Sequence, residues 1–346
     1  MKRRTLARTR RNLFAPLLST KAMKQLKIFC DIQLSEPGLK RLREGVATHE
    51  IILPSKMLSS PFTQSTRDTA FDEVEIAFGQ PNLENIYESK KLKWIHISSA
   101  GFTRYDTPEF RAFASEREIH VTNSSTVYAE ACAEHVFAFM LAQSRRLPES
   151  LKARYENNSP KWLHLRHSSP LLKHQRVVIL GFGGIATRLL EMLKPFHMEV
   201  AAYRRKPRGD EGIPIISMAE LPDALAQADH VINILPANAQ SNAFVSSERL
   251  KQMKRGAVFY NIGRGATVDQ AALVDALSTG HLGAAWLDVT EPEPLPLGHP
   301  LLSLPNCYIT PHVAGGHHDE TGFLISHFLN NFSRYLDEAP LLDRVM

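Results

Sequence analysis

Three residues far apart in the chain carry side chains that together could reduce a carbonyl: Arg264, Glu293 and His312. A guanidinium can orient a carboxylate and polarise the carbonyl beside it, while an imidazole protonates the alkoxide that forms as hydride arrives. A carboxylate beside that imidazole favours the protonated ring and fixes its orientation, which would be the purpose of Glu293. Taken singly, each has a plainer reading: a surface ion pair, a solvated glutamate among prolines, a structural histidine. Their positions set them apart. Arg264 follows an apolar run at 258–261, Glu293 lies just past another at 286–289, and His312 comes after residues 308–311. If these runs are parallel strands, all three residues lie beyond carboxyl ends, the edge where open α/β sheets bind ligands.

A hydride donor is implied by a fourth feature. Gly181, Phe182, Gly183, Gly184, Ile185 and Ala186 form a G-x-G-x-x-A turn between the apolar run 177–180 and a helical pattern through Leu190, Met192 and Leu193. In that setting the first glycine allows a tight turn, the second lets a pyrophosphate approach the backbone, and a small third residue packs helix on strand. A glycine-rich loop without ligand is the alternative; strand before and helix after favour the dinucleotide. NAD enzymes usually place an acid about 20 residues further on, on the ribose 2′-hydroxyl. Here Arg204, 23 residues past Gly181, is followed by Arg205 and Lys206. A guanidinium grips a 2′-phosphate bidentately and offers no acceptor to a hydroxyl. NADP(H) is therefore the expected cofactor, with NAD(H) possible; a solvated basic loop is the competing reading.

The elements that must position these residues read as two α/β series. Strands are expected at 26–29, 49–53, 74–78, 92–97 and 120–122, then, after a long apolar helix at 129–143, at 176–180, 199–203, 230–235, 257–261, 284–289 and 307–309. Strands alternating with helices after a glycine turn indicate doubly wound parallel sheets. Residues 144–174 turn polar and basic and look like a linker or an excursion. The last helix, about 319–336, has no local partner and could cross back to the first series.

Length and composition agree. A chain of 346 residues with 43% hydrophobic content can bury two cores. The formal net charge of +5 is concentrated in residues 1–22, which hold seven Lys and Arg and no acid, leaving −2 for the rest. No nucleic-acid surface is expected from a near-neutral body. The tail reads as a disordered arm or an upstream start ahead of Met23, with an organelle address as the lesser alternative. Cys30, Cys132 and Cys307 form neither a disulfide framework nor a zinc motif. The longest apolar stretch, around 132–142, is too short and too charged to span a membrane. A soluble protein of a reducing, cytoplasmic compartment is expected.

From Met23 onward the chain resembles the D-isomer-specific 2-hydroxyacid dehydrogenases. The likeness rests on the Gly181 turn, on Asn261-Ile262-Gly263-Arg264-Gly265 with Val268-Asp269, on Leu287-Asp288-Val289-Thr290-Glu291-Pro292-Glu293-Pro294, and on Thr310-Pro311-His312-Val313-Ala314-Gly315. It implies that Arg264 binds the substrate carboxylate and carbonyl, that His312 is the acid/base, and that Glu293, not Glu291, is its partner. Ser98-Ser99-Ala100-Gly101 resembles the family's substrate loop, whose backbone amides hold the carboxylate, and Ala133-Glu134-His135 would lie on its interdomain helix. Leu235, Pro236, Ile262 and Gly263 would touch the cofactor, and Asp288 its nicotinamide carboxamide. The resemblance further implies a homodimer, with 144–174 as the dimerisation excursion. It also implies a Rossmann-type dinucleotide domain (144–316) and a discontinuous flavodoxin-like substrate domain (23–143 and 317–346). The sequence departs from the family at Ala237-Asn238-Ala239-Gln240 and at Gly316-His317-His318, where threonines are usual; His317 could shape the substrate pocket or face solvent. Only 34 residues follow His312, too few for an appended regulatory domain. The expected activity is reduction of a small 2-oxo acid of the glyoxylate/hydroxypyruvate type. The alternatives are 3-phosphoglycerate oxidation, for which Arg104 could supply the extra cation, and a corepressor-like dinucleotide sensor.

Overall fold

The structure, a computed structural model, describes residues 24–56 and 66–346; the basic tail expected at 1–22 lies outside them. The chain opens with β1 (Lys27–Cys30), α1 (Glu36–Gly45), β2 (Glu50–Ile52), β3 (Ile76–Gly79), α2 (Leu83–Glu88), β4 (Trp94–Ile97), α3 (Pro108–Glu116) and β5 (His120–Thr122). Ser35, Asn82 and Thr107 cap the three helices, each side chain accepting an amide of the first turn. The five strands pair in parallel in the order β2-β1-β3-β4-β5. Every residue of β3 and β4 is buried, as expected of parallel strands covered on both faces.

A long helix, α4 (Ser125–Ser144), follows. It is apolar nearly all round, the pattern of a helix buried on several sides, and it packs along α7 of the next series. The stretch 144–174 then forms two short helices, α5 (Leu147–Lys152) and α6 (Pro160–His167), which leave Leu147, Leu151, Tyr155 and Leu163 exposed.

The second series comprises β6 (Arg176–Leu180), α7 (Gly184–Leu193), β7 (Glu199–Tyr203), β8 (Ile215–Ile216), α8 (Leu221–Gln227), β9 (His230–Asn233), α9 (Ser247–Gln252), β10 (Val258–Asn261), α10 (Gln270–Ser278), β11 (Ala284–Leu287) and β12 (Cys307–Ile309). Its seven parallel strands run β12-β11-β10-β9-β6-β7-β8, so the order reverses between β6 and β9, next to the glycine turn. The last helix, α11 (Glu320–Leu336), leaves this sheet and packs on α1 and α4. There Phe328 stacks on Phe78 and Trp94, with ring centroids 4.3 and 5.3 Å apart. Beyond it the Val345 amide donates to the Val121 carbonyl at 2.8 Å, so the chain finishes against β5. The fold is thus two doubly wound parallel sheets. No helix among the described residues is long and apolar enough to cross a membrane.

Candidate active site

The dinucleotide edge is built by three strands. Gly181, at the end of β6, has φ +99, a backbone that glycine alone adopts freely, and its amide donates to the Tyr203 carbonyl of β7 at 2.9 Å. Gly263, after β10, lies so close to the strand-end loop of β9 that a Cβ would sit 2.6 Å from the Leu235 carbonyl oxygen. Gly181, Leu235 and Gly263 are therefore neighbours. Gly183 is different: its backbone is extended, at φ −130 and ψ −160, and a Cβ there would meet nothing within 4 Å. The fold itself does not require a glycine at 183; a ligand backed onto the turn would. With the first amides of α7 lacking intrahelical acceptors, the turn fits a pyrophosphate.

At the end of β7 the Arg204 guanidinium is already paired. Its Nη1 lies 3.0 Å from Glu211 Oε1, and the same carboxylate accepts the Arg208 and Gly209 amides at 2.6 and 2.8 Å. Those amides, burial acting against them, and the Arg204 guanidinium hold the Glu211 carboxyl below its usual range. Arg205 reaches the Gln240 side chain. Glu211 escaped the sequence reading, although an acid seven residues past Arg204, between Gly209 and Gly212, was the available signal.

The substrate loop comes from the first sheet. All four of its carbonyls are taken: Ser98 by the Tyr128 hydroxyl (2.8 Å), Ser99 by the Ser124 amide (3.1 Å), Ala100 by Asn123 Nδ2 (2.7 Å) and Gly101 by Ser99 Oγ (2.6 Å). The amides of Ser99, Ala100 and Gly101 find no acceptor among the described residues. Arg264 meets this loop, since a Cβ on Gly101 would lie 2.2 Å from its Nη2. Its Nη1 donates to the Gly263 carbonyl at 2.6 Å, and no carboxylate of the described residues lies within ion-pair distance. Burial pulls the guanidinium below its usual range, with Cys132 and Glu293 acting the other way. Arg104, on the turn after the loop, lies 6.0 Å from the Tyr105 ring centroid; burial pushes the Asp31 carboxyl up to about 6, the Gln80 amide and the Arg104 charge acting against it.

The imidazole edge follows β12. His312 Nδ1 is 2.5 Å from Glu293 Oε1, which brings the two together as expected. His312 has φ +52, a left-handed backbone uncommon outside glycine, and the amide is fixed by the Asp288 and Thr310 carbonyls, each at 3.0 Å. The Asp288 carboxylate lies inside this loop and is 2% exposed. Its Oδ1 accepts Thr310 Oγ1 (2.6 Å) and the Val313 amide (2.9 Å), and its Oδ2 accepts the Ala314 amide (2.9 Å). Its first task is thus to shape the His312 loop; a lone pair on Oδ2 is left for a carboxamide. His317 is half-buried, its ring 4.9 Å from that of Phe323.

The model of the family "D-isomer specific 2-hydroxyacid dehydrogenase, NAD binding domain" matches residues 137–314. The human glyoxylate reductase/hydroxypyruvate reductase is 33% identical over 252 residues, covering 72% of this chain and 76% of its own. A glyoxylate reductase from Thermofilum pendens is 31% identical over 299 residues, 84% and 86% of the two chains. Among solved structures, an NADPH-dependent glyoxylate/hydroxypyruvate reductase from Sinorhizobium meliloti, in complex with NADP and malonate, aligns with a TM-score of 0.69. It is 25% identical, over 93% of this chain and 97% of that one. The chain belongs to the D-isomer specific 2-hydroxyacid dehydrogenase family. It is accordingly an NAD(P)-dependent oxidoreductase that moves a hydride between a nicotinamide dinucleotide and a small 2-oxo or 2-hydroxy acid.

Proposed function

We propose that this enzyme reduces 2-oxo acids of the glyoxylate/hydroxypyruvate type with NADPH. The meeting of Arg264 with Gly101 carries the reading. A guanidinium without a carboxylate partner beside three acceptor-free amides is complementary to a 2-oxo carboxylate. Contact this close leaves room for a small substrate. The relatives named above act on glyoxylate and hydroxypyruvate by their names.

In the proposed mechanism the Ser99, Ala100 and Gly101 amides and Arg264 hold the carboxylate, and Arg264 polarises the adjacent carbonyl. A nicotinamide dinucleotide, when held there, would supply the hydride. His312 Nε2 gives its proton to the forming alkoxide, while Nδ1 stays against Glu293, which keeps the ring aligned. Gly181, Phe182, Gly183, Gly184 and Ile185 would cradle the pyrophosphate; Leu235, Pro236, Ile262 and Gly263 would line the nicotinamide half, and Asp288 would accept from the carboxamide. Arg204, pre-oriented by Glu211, and Arg205 take the 2′-phosphate, so NADPH is preferred over NADH. We further propose a cytoplasmic homodimer, joined through the exposed Leu147, Leu151, Tyr155 and Leu163 of the 144–174 excursion.

Glyoxylate, hydroxypyruvate, phosphohydroxypyruvate and pyruvate, each assayed with NADPH and NADH, form the test. High kcat/KM is expected for the first two with NADPH, and loss of turnover in His312→Ala. Equal efficiency with both cofactors would remove the NADPH preference. Full activity in His312→Ala would remove the mechanism.

A further inference from the structure

His135 projects from the middle of α4, away from the reacting atoms and outside the roles assigned above. Its Nε2 lies 3.2 Å from Thr310 Oγ1 and 3.7 Å from Asp288 Oδ1. Burial holds this imidazole below its usual range, Asp288 acting against it, so the ring is neutral near pH 7 and carries a single N–H. Which nitrogen bears it follows from valence. The Asp288 carboxylate only accepts, so the one hydroxyl proton of Thr310 goes to Oδ1 at 2.6 Å. Thr310 Oγ1 therefore has only lone pairs to offer His135, and Nε2 is the donor. The chain of contacts runs His135 Nε2–H to Thr310 Oγ1, Thr310 O–H to Asp288, and Asp288 to the Val313 and Ala314 amides on the far side of His312. His312 is the residue in this loop with the left-handed backbone, a conformation that persists where the surroundings over-determine it.

We propose that His135 is a positioning residue for the acid/base imidazole, acting through Thr310 and Asp288; this rests on the assignment of His312 as the acid. The same helix holds the substrate loop at its other end, through Ser124 and Tyr128. Near the start of α7 its Ala129 Cβ lies 3.4 Å from the position a Cβ on Gly184 would take, and its Glu130 pairs with Arg188. One rigid element thereby references the imidazole to both the substrate loop and the glycine turn, and His135 is its contact with the imidazole. The ring also packs edge-on against Phe139, 4.4 Å between centroids, so a phenyl group can replace it in shape.

The test is steady-state kinetics of full-length His135→Phe, His135→Gln, Thr310→Val and Thr310→Ser, with NADPH binding by fluorescence, thermal melting, and His312→Ala alongside. His135→Phe and Thr310→Val should each lower kcat by about 10- to 100-fold, the scale of a misaligned reacting group, with KM for the 2-oxo acid and NADPH affinity within about twofold. The double variant should be no worse than either single one, since both cut one chain of contacts. His135→Gln and Thr310→Ser, which keep the donor and the hydroxyl, should recover most of kcat. If His135→Phe and Thr310→Val turn over normally while His312→Ala is dead, the positioning role is overturned and the acid assignment stands. A loss that appears in KM, adds fully in the double variant or is not recovered by Gln and Ser overturns it equally. Full activity in His312→Ala strikes the acid assignment itself.

Discussion

The two sheets present different chemistry at their carboxyl edges. The first sheet's edge presents backbone: the loop after β4 has every carbonyl committed to Tyr128, Ser124, Asn123 and Ser99 and leaves the Ser99, Ala100 and Gly101 amides without an acceptor among the described residues. Side chains form the edge of the second sheet, with Arg264 after β10, Glu293 after β11 and His312 after β12. Amides hold a carboxylate whatever residue bears them, provided the loop is stiff. Proton transfer and charge need particular side chains. On this division, substrate binding belongs to the first sheet and reaction to the second, and Arg264 touches both.

The largest effect should come from the second edge. His312→Ala is expected to lower kcat about 10²- to 10⁴-fold, the usual worth of a general acid, while KM for the 2-oxo acid changes little. A matching rise in KM instead would place binding on this edge too. Arg264→Lys keeps the charge but loses the fork, and kcat/KM should fall about 100-fold in steady-state assays, through both parameters because the group serves both sheets. On the first edge, Gly101→Ala would set a Cβ 2.2 Å from Arg264 Nη2, the far end of a flexible side chain. The guanidinium should swing aside, raising KM about tenfold with the melting temperature unchanged; a fall in kcat alone would contradict the division.

The smallest effect compares the cores under the two edges. Burial pushes the His96 ring in β4 down to about 3, helped by the His327 charge, and the His230 ring in β9 down to about 4, Asp229 acting against it. Unfolded, these rings take protons below pH ~6.5, whereas folded they stay neutral. Their contribution is complete above that pH and is lost as pH falls toward 4 and 3. Urea unfolding should show stability declining by roughly 1–3 kcal/mol per pH unit between pH 6 and 4.5. His96→Gln and His230→Gln should each remove part of the slope; slopes equal to that of the unmodified protein would show that other groups set it.

Much of the fold could be read from the sequence. β5, β6, β7 and β12 occupy the residues expected of them, because their alternation with helices is regular and their apolar runs are bounded by polar residues. The two-residue β8 has no periodicity to detect, and α4 begins four residues before its apolar pattern. At that early start Asn123 Oδ1 accepts the Ser125 amide and hydroxyl, and the Asp343 carboxylate accepts the Thr126 amide and hydroxyl. In the candidate site, Arg264, Glu293 and His312 could be read because each follows an apolar run and the three come in order behind a dinucleotide turn. The supports were not: Thr310, Asn123, Tyr128 and Glu211 act by bonding partners distant in sequence, and a hydroxyl or amide carries no local mark of such a partner.

The return of α11 to the first sheet bears on how the protein is made. Leu324, Ile325, Phe328 and Phe332 share a core with Ile28, Phe78 and Trp94, and Val345 pairs with Val121. The sheet translated first therefore needs α11 and Val345 before its core can close. The second sheet, drawn from one continuous stretch, can be complete before then. Synthesis and completion thus run in opposite orders, and a chain cut short before α11 would leave the amide-bearing edge unfinished beside a finished edge of side chains.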